Sequence, residues 1–260
     1  MSTRRAVAPL DGFLLHRHDW SETSLILDVF TRGRGRLTLA AKGAKRPYSQ
    51  LRSVLLPFQK ISLTVGRQAE DAQGEVLTLR GAEWAGGDAA PVLPAPRLFA
   101  GFYLNELLIK LLARSDPHPG LFDVYADSLR GLAVANELGE QIILRAFELA
   151  LLKDIGLLPE LDRLTATQQP LHGGDWLQLH GQRGVAETDP TQGPALSGED
   201  LLALDAALRG SSLARLQQAC APRLDRLRPM LRGLVHYHLG SPHLRTREVM
   251  RDALQLLGPG

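Results

Sequence analysis

Three arginines alternate with two glycines at Arg32-Gly33-Arg34-Gly35-Arg36, and a second basic group, Lys42, Lys45 and Arg46, follows within one strand length. Guanidinium and ammonium groups held on a small sheet and its loops are what a polyanion needs. A row of such cations meets several phosphates at once and releases their condensed counterions. Arg17 and Arg52 flank the set and complete the candidate contacts. Tyr48, between Pro47 and Ser49, adds a ring on which a base can stack. Phe30 stands beside the same loop, but its strand is apolar and the residue reads as core. The competing reading of all these cations is an ordinary solvated face.

A second basic series lies near the end of the chain: Arg223, Arg226, Arg228, Arg232, Arg245, Arg247 and Arg251, interleaved with His236, His238 and His243. Arg228 and Arg232 are four apart and share a helix face. With Arg130 and Arg145, they are candidates, by charge alone, for a surface that meets DNA or an acidic peptide. His236 and His238 are two apart on an expected helix and point in different directions, which argues against a metal site. His16 and His18 share one face of a strand and are expected to meet phosphate or solvent. Asn105 and Glu106 read as the polar edge of an apolar helix.

Catalytic motifs are absent. The chain has no GxxxxGK[ST] loop, HExxH, GxSxG or helix-opening GxGxxG. Asp11, Asp19, Glu22 and Asp28 are scattered among expected strands without a metal-binding spacing. No catalytic residue, metal or cofactor is therefore assigned. The single cysteine, Cys220, excludes an internal disulfide and a cysteine-built zinc site, and fits a reducing cytosol. The first residues lack the apolar stretch of a signal peptide, and no apolar run reaches the roughly 18 residues of a membrane span.

The elements that must position these cations are legible from periodicity. The 260 residues, 44% of them hydrophobic, suffice for one or two domains. The net charge of +2 is uneven: residues 1–80 carry 13 Lys/Arg against 7 Asp/Glu, and the remainder carries 17 against 21. Such asymmetry directs the first part towards a polyanion. Short strands are expected over 12–18, 23–31, 36–42, within 51–65 and over 75–79, with Leu37, Leu39 and Ala41 facing one way and Arg36, Thr38 and Lys42 the other. Five short strands in such a span imply a small closed barrel of the oligonucleotide-binding (OB) type.

Helices dominate afterwards. The expected architecture is α+β: an OB-fold DNA-binding domain over 1–82, a linker over 83–96 and a helical domain over 97–260. Helices are expected over 97–114, 121–134 and 137–155, the last closed by Gly156. Residues 160–196 read as an irregular insert with one hairpin near 176–179. Ser197 with Asp200 forms a capping pair, and helices follow over 198–209, 212–219, 224–239 and 246–257.

Four segments, in this order, resemble the RecO recombination mediator family: LHRHDWSETSLILDVFTRGRGRLTLAAKGAKRP, FYLNELLIKLLARSDPHPGLFDVYADSLRGL, LRAFELALLKDIGLLPELDRL and HYHLGSPHLRTREVM. The first two are specific as a pair, and together the four span nearly the whole chain. The resemblance implies an N-terminal OB-fold followed by a helical domain. It also implies activity without turnover: binding of single- and double-stranded DNA, annealing of complementary strands, and assistance to RecA in replacing single-strand-binding protein. RecR and the acidic C-terminal tail of single-strand-binding protein are the implied partners, the tail docking on the helical domain, and the implied setting is the bacterial cytoplasm at the nucleoid. One departure stands out. Many members carry a cysteine zinc module after the motif Leu161-Asp162-Arg163, where this chain continues Leu164-Thr165-Ala166-Thr167. The purified protein is expected to hold no stoichiometric zinc, and one tightly bound zinc per chain by elemental analysis would overturn that.

Two other classes follow from the same residues. An RNA-binding OB module acting in RNA processing or translation would use the same phosphate contacts, and competition between matched DNA and RNA oligomers separates the two. A nuclease built on scattered carboxylates would reveal itself by magnesium-dependent cleavage of labelled DNA, and activity surviving Asp28→Asn would remove that residue from its site.

Overall fold

The computed structural model describes residues 8–66, 76–86, 92–210, 212–240, 244–246 and 249. The chain divides into two compact units, Met1–Asp123 and Val124–Gly260.

The first unit is built on five strands: β1 (Leu10–Asp19), β2 (Leu25–Thr31), β3 (Gly35–Ala41), β4 (Lys60–Val65) and β5 (Val76–Trp84). They close in the order β1-β2-β3-β5-β4, with β1 pairing back onto β4 and β3 running parallel to β5. This is the OB-type barrel the strand pattern implies. Leu14, Leu27, Val29, Leu39, Ile61 and Leu63 fill its interior. The expected fourth strand starts later than its apolar run. Leu51–Val54 is a single helical turn, α1, which lays Leu51 and Val54 against the barrel core. The strand waits until Lys60, past Pro57 and a left-handed Phe58 (φ 66°). The fifth strand continues to Trp84, and Glu75 lies outside the described residues.

The alternation in β3 holds, but its outer face is not open to water. Thr38 and Asp28, across from one another in register, are both buried. Phe30 is fully buried, as its apolar strand implies, although on the outside of the barrel. It and Phe13, its partner in β1, contact Phe122 with ring centroids 5.5 and 5.2 Å away. Phe122 belongs to the first turn of α3 (Pro119–Val134), which follows α2 (Leu98–Leu111).

A bulge in β1 between Leu14 and His16 gives Leu15 no place in the ladder. Its carbonyl accepts instead from Asn105 Nδ2 of α2 at 2.9 Å. Asn105 is thus not the polar edge of a helix. It is 2% exposed and supplies the partner that a buried carbonyl requires. Helix α2 stops three residues short of the expected Arg114, because Leu112 turns extended. The backbone then runs beside β3, where Ser115 N donates to the Arg36 carbonyl at 2.9 Å. That close approach explains Gly35: its φ is +66°, and a Cβ there would stand 1.9 Å from the Asp116 carbonyl oxygen.

In the second unit, α4 (Glu137–Asp154) opens on Asn136, whose side chain accepts from Gly139 N, and closes before the left-handed Gly156. It packs against α6 (Leu213–Cys220) and α7 (Leu224–Leu239). The insert over 160–196 is more regular than its composition implies. Strands β6 (Trp176–His180), β7 (Gly184–Glu187) and β8 (Leu196–Ser197) form one antiparallel sheet. The loop before it is stitched on by Thr165, whose N–H donates to Val185 O and whose hydroxyl accepts from Val185 N. Helix α5 (Gly198–Arg209) starts with the complete capping box of Ser197 and Asp200. The expected helix over 246–257, with Arg247 and Arg251, and His243 before it, falls largely or wholly outside the described residues.

Candidate nucleic-acid interface

The basic residues that are neighbours in sequence do not form one patch. Strand β3 carries the chain from the Arg32–Arg36 turn to the opposite end of the barrel, about 20 Å away at ~3.3 Å per residue. Arg32 and Arg34 lie at one end. Lys42, Lys45, Arg46, Tyr48 and Arg52 follow β3 at the other, where the β1–β2 hairpin also turns, since Asp19 pairs with Leu25 and Leu25 with Ala41.

At the turn end, two of three arginines are engaged by the fold. Arg32 makes a two-pronged bond to Asp123, Nε to Oδ1 at 3.1 Å and Nη2 to Oδ2 at 2.9 Å. Those bonds, with the Asp123 charge, hold the Arg32 guanidinium protonated beyond its ordinary range. Arg36 donates to the Leu112 carbonyl and pairs with Asp28 at 3.3 Å, and its side chain is 12% exposed. Burial lowers its pKa, opposed by the Asp28 charge. The same Asp28 meets Thr38 and, at 3.4 Å, His18 Nε2. His18 also packs edge-on against His16. Asp28 is thus a structural acid between three strands, and among the described residues no carboxylate, histidine or cysteine cluster has metal-binding geometry. Arg34 has no ion pair among the described residues and is half-buried.

The opposite rim is different. Lys42, Arg46 and Arg52 are exposed, with no side-chain hydrogen bond or ion pair among the described residues. Arg17, opposite Leu27, is exposed near the same end. Lys45 ties the two loops together: its N–H donates to Thr23 O at 3.0 Å, and its Nζ reaches Ser21 O at 3.1 Å and Asp19 at 3.3 Å. Tyr48 is 99% exposed, on a chain of turns in which Arg46 N donates to Gly43 O and Ser49 N to Arg46 O. Trp20, in the β1–β2 loop, is 58% exposed. Trp20 is not among the residues that charge and spacing single out. Its signal was there: a large ring between Asp19 and the turn-forming Ser21-Glu22-Thr23, where a core residue is not expected.

In the second unit most of the basic series is already partnered. Arg145 is not on a surface at all: it is buried in α4 with Glu148, 2.9 Å away, because both stand three apart on the face that packs on α6 and α7. Arg223 holds Asp200 and the Ala219 carbonyl, each at 2.7 Å. Arg130 pairs with Asp127 in its own helix. Arg226 lies over the Trp176 ring at 5.5 Å. Arg245 is exposed. Arg228 and Arg232 are exposed and have no such partner among the described residues. They border a groove of about 410 Å³ together with Pro229, Gly233 and His236. With Arg228 and Arg232 beside them on the same helix, Pro229 and Gly233 are four apart on one face of α7. A neighbouring hollow shares those two residues and reaches Tyr237 and His180.

The family model described as "Recombination protein O N terminal" matches residues 7–85, and "Recombination protein O C terminal" matches residues 95–248. The chain is 45% identical over 253 residues to the "DNA repair protein RecO" of Polaromonas sp. (strain JS666 / ATCC BAA-500), covering 97% of this chain and 98% of that protein. It is 47% identical over 242 residues to that of Polaromonas naphthalenivorans (strain CJ2), covering 93% and 94%. The protein of the same name from Acidovorax ebreus (strain TPSY) is 45% identical over 266 residues, covering 98% and 100%.

Proposed function

The chain belongs to the RecO family, and from that premise we propose that it is a non-catalytic recombination mediator in DNA repair. It binds single- and double-stranded DNA, anneals complementary strands, and with RecR helps RecA onto single strands coated by single-strand-binding protein. The proposed setting is the bacterial cytoplasm, at the nucleoid. Among the described residues no helix is long and apolar enough to cross a membrane.

The observation that carries this reading is the barrel rim with Arg17, Lys42, Arg46 and Arg52 exposed beside two exposed rings. Phosphate contacts carry no sequence information, so the binding is sequence-tolerant. Holding two strands on one cationic surface reduces their mutual repulsion, which is a physical route to annealing. Arg32 and Arg36 have partners within the fold, so the rim is the favoured contact, with Arg34 as an outlying one. For the acidic tail of single-strand-binding protein, the favoured surface is the α7 groove: Arg228 and Arg232 offer charge, and Pro229 and Gly233 an apolar floor.

The test is fluorescence anisotropy of a labelled single strand at two salt concentrations, with a matched RNA as competitor. The expected result is binding that weakens steeply with salt, ignores sequence and favours DNA. No binding at low salt would remove the proposal, and RNA competing on equal or better terms would move it to an RNA-binding module.

A further inference from the structure

We propose that Trp20 and Tyr48 form a two-ring platform that stacks unpaired bases and makes this rim select single strands over duplex. The inference rests on the nucleic-acid reading of the rim and specifies what the rings add to it.

Both rings are exposed at the rim. Tyr48 is 99% and Trp20 58% exposed, while Phe13, Phe30, Phe58 and Phe122 of the same unit are buried and Trp84 and Phe102 are exposed at 54% and 40%. What sets Trp20 and Tyr48 apart is their place among the exposed cations of the rim. The two come from different loops, which Lys45 joins through Thr23 and Ser21.

The loops are also held in shape. Ser21 Oγ accepts from both Thr23 N and Ser24 N, and Trp20 N donates to Ser24 O. This tight turn fixes the Trp20 backbone. Pro47 restrains φ just before Tyr48, and the bonds Arg46 N to Gly43 O and Ser49 N to Arg46 O bracket it. Rings on ordered loops lose little backbone entropy on binding.

Charge names the occupant. Lys42, Arg46 and Arg52 are exposed on the Tyr48 side and Arg17 is exposed on the Trp20 strand, against the exposed acids Asp19 and Glu22, of which Asp19 is already met by Lys45. Cations for a backbone beside aromatic faces for bases are the pairing that single strands use. In a duplex the base faces are occupied by stacking on one another. The rings can then reach only the edges, while the cations still serve.

The experiment measures anisotropy of fluorescein-labelled oligothymidylate, its duplex with oligoadenylate, and a fully abasic oligonucleotide of equal length. The proteins are the full chain, Trp20→Ala, Tyr48→Ala, the double variant, and Trp20→Phe with Tyr48→Phe. Each alanine is expected to weaken single-strand binding by about 5-fold or more, with duplex and abasic binding within about twofold of the parent and the salt slope unchanged, since stacking releases no counterions. The phenylalanine variant should retain most of the single-strand affinity. Equal losses on single strand, duplex and abasic probe, or an unchanged single-strand affinity in the double variant, would overturn the platform while leaving DNA binding in place. Failure of the parent protein to bind any of the three probes would sink the underlying nucleic-acid reading instead.

Discussion

Arg145 and Glu148 show why charge alone misassigns a residue. An arginine in a helical sequence reads as surface, and only neighbouring helices reveal that this one is 3% exposed. Its Nη2 meets Glu148 at 2.9 Å, while its Nε and Nη1 have no hydrogen-bond partner among the described residues. Guanidinium cannot shed its proton to escape burial. Glu148→Ala is therefore expected to lower the stability of the second unit by about 3–5 kcal/mol, and replacing both residues by apolar ones of similar size to cost far less. Urea unfolding followed by circular dichroism measures both, and a single variant no less stable than the double one would contradict the argument. Nearby, burial pushes the Cys220 thiol up to about 12, leaving it neutral and unreactive at ordinary pH.

At the scale of elements, the segment over 160–196 is held by bonds that its glycines and prolines conceal. Asp162 anchors it. The Asp162 carboxylate accepts from Arg163 and from Arg209 of α5, and its carbonyl accepts from Leu171 N. The Arg163 bond is the largest cause, and together with the Arg163 charge and the bond and charge of Arg209 it outweighs the opposing effect of burial and brings the pKa down from 3.8 to about 2. Because the folded value is depressed, the interaction stabilises the fold fully above the unfolded value and is lost as pH falls from about 4 to about 2. Asp162→Asn should lower the thermal midpoint at neutral pH, and the gap to the parent should close across that acid window. A gap that stays constant with pH would mean that the carboxylate charge plays no part.

At the scale of the molecule, the two units offer separate basic surfaces, the barrel rim in one and the α7 groove in the other. Two sets of substitutions should therefore separate two activities. Lys42→Gln with Arg46→Gln should weaken DNA binding and reduce the salt slope for a single strand by about 0.7 per lost contact, with binding of an acidic peptide unchanged. Arg228→Ala with Arg232→Ala should do the reverse. Titrating a labelled oligonucleotide and a labelled acidic C-terminal peptide against both variants reads this out, and coupled losses in either variant would argue for one shared surface. Arg36→Gln is no substitute in this test, since it removes the arginine that pairs with buried Asp28 and reports on the barrel.

The strand pattern, the helix caps at Ser197 and the apolar period of α4 determined the architecture from sequence alone, because they are local: they depend on periods of two and 3.6 residues and on side chains that bond their own backbone. Phe30 was legible as core for the same reason. What the sequence could not determine is which cations lie near one another. Arg36 and Lys42 are six residues apart, yet a strand is stiff and extended, so proximity along the chain becomes separation in space. Ser21 and Lys45 are far apart in sequence and are joined only when β3 returns the chain to the rim. The engagement of Arg36 by the Leu112 carbonyl, the burial of Arg145 and the bond from Asn105 to the Leu15 carbonyl are likewise decided by elements distant in the chain. Tertiary packing removes water from some polar groups and leaves it on others, and among the described residues that selection separates the exposed cations of the rim and of α7 from those engaged by the fold.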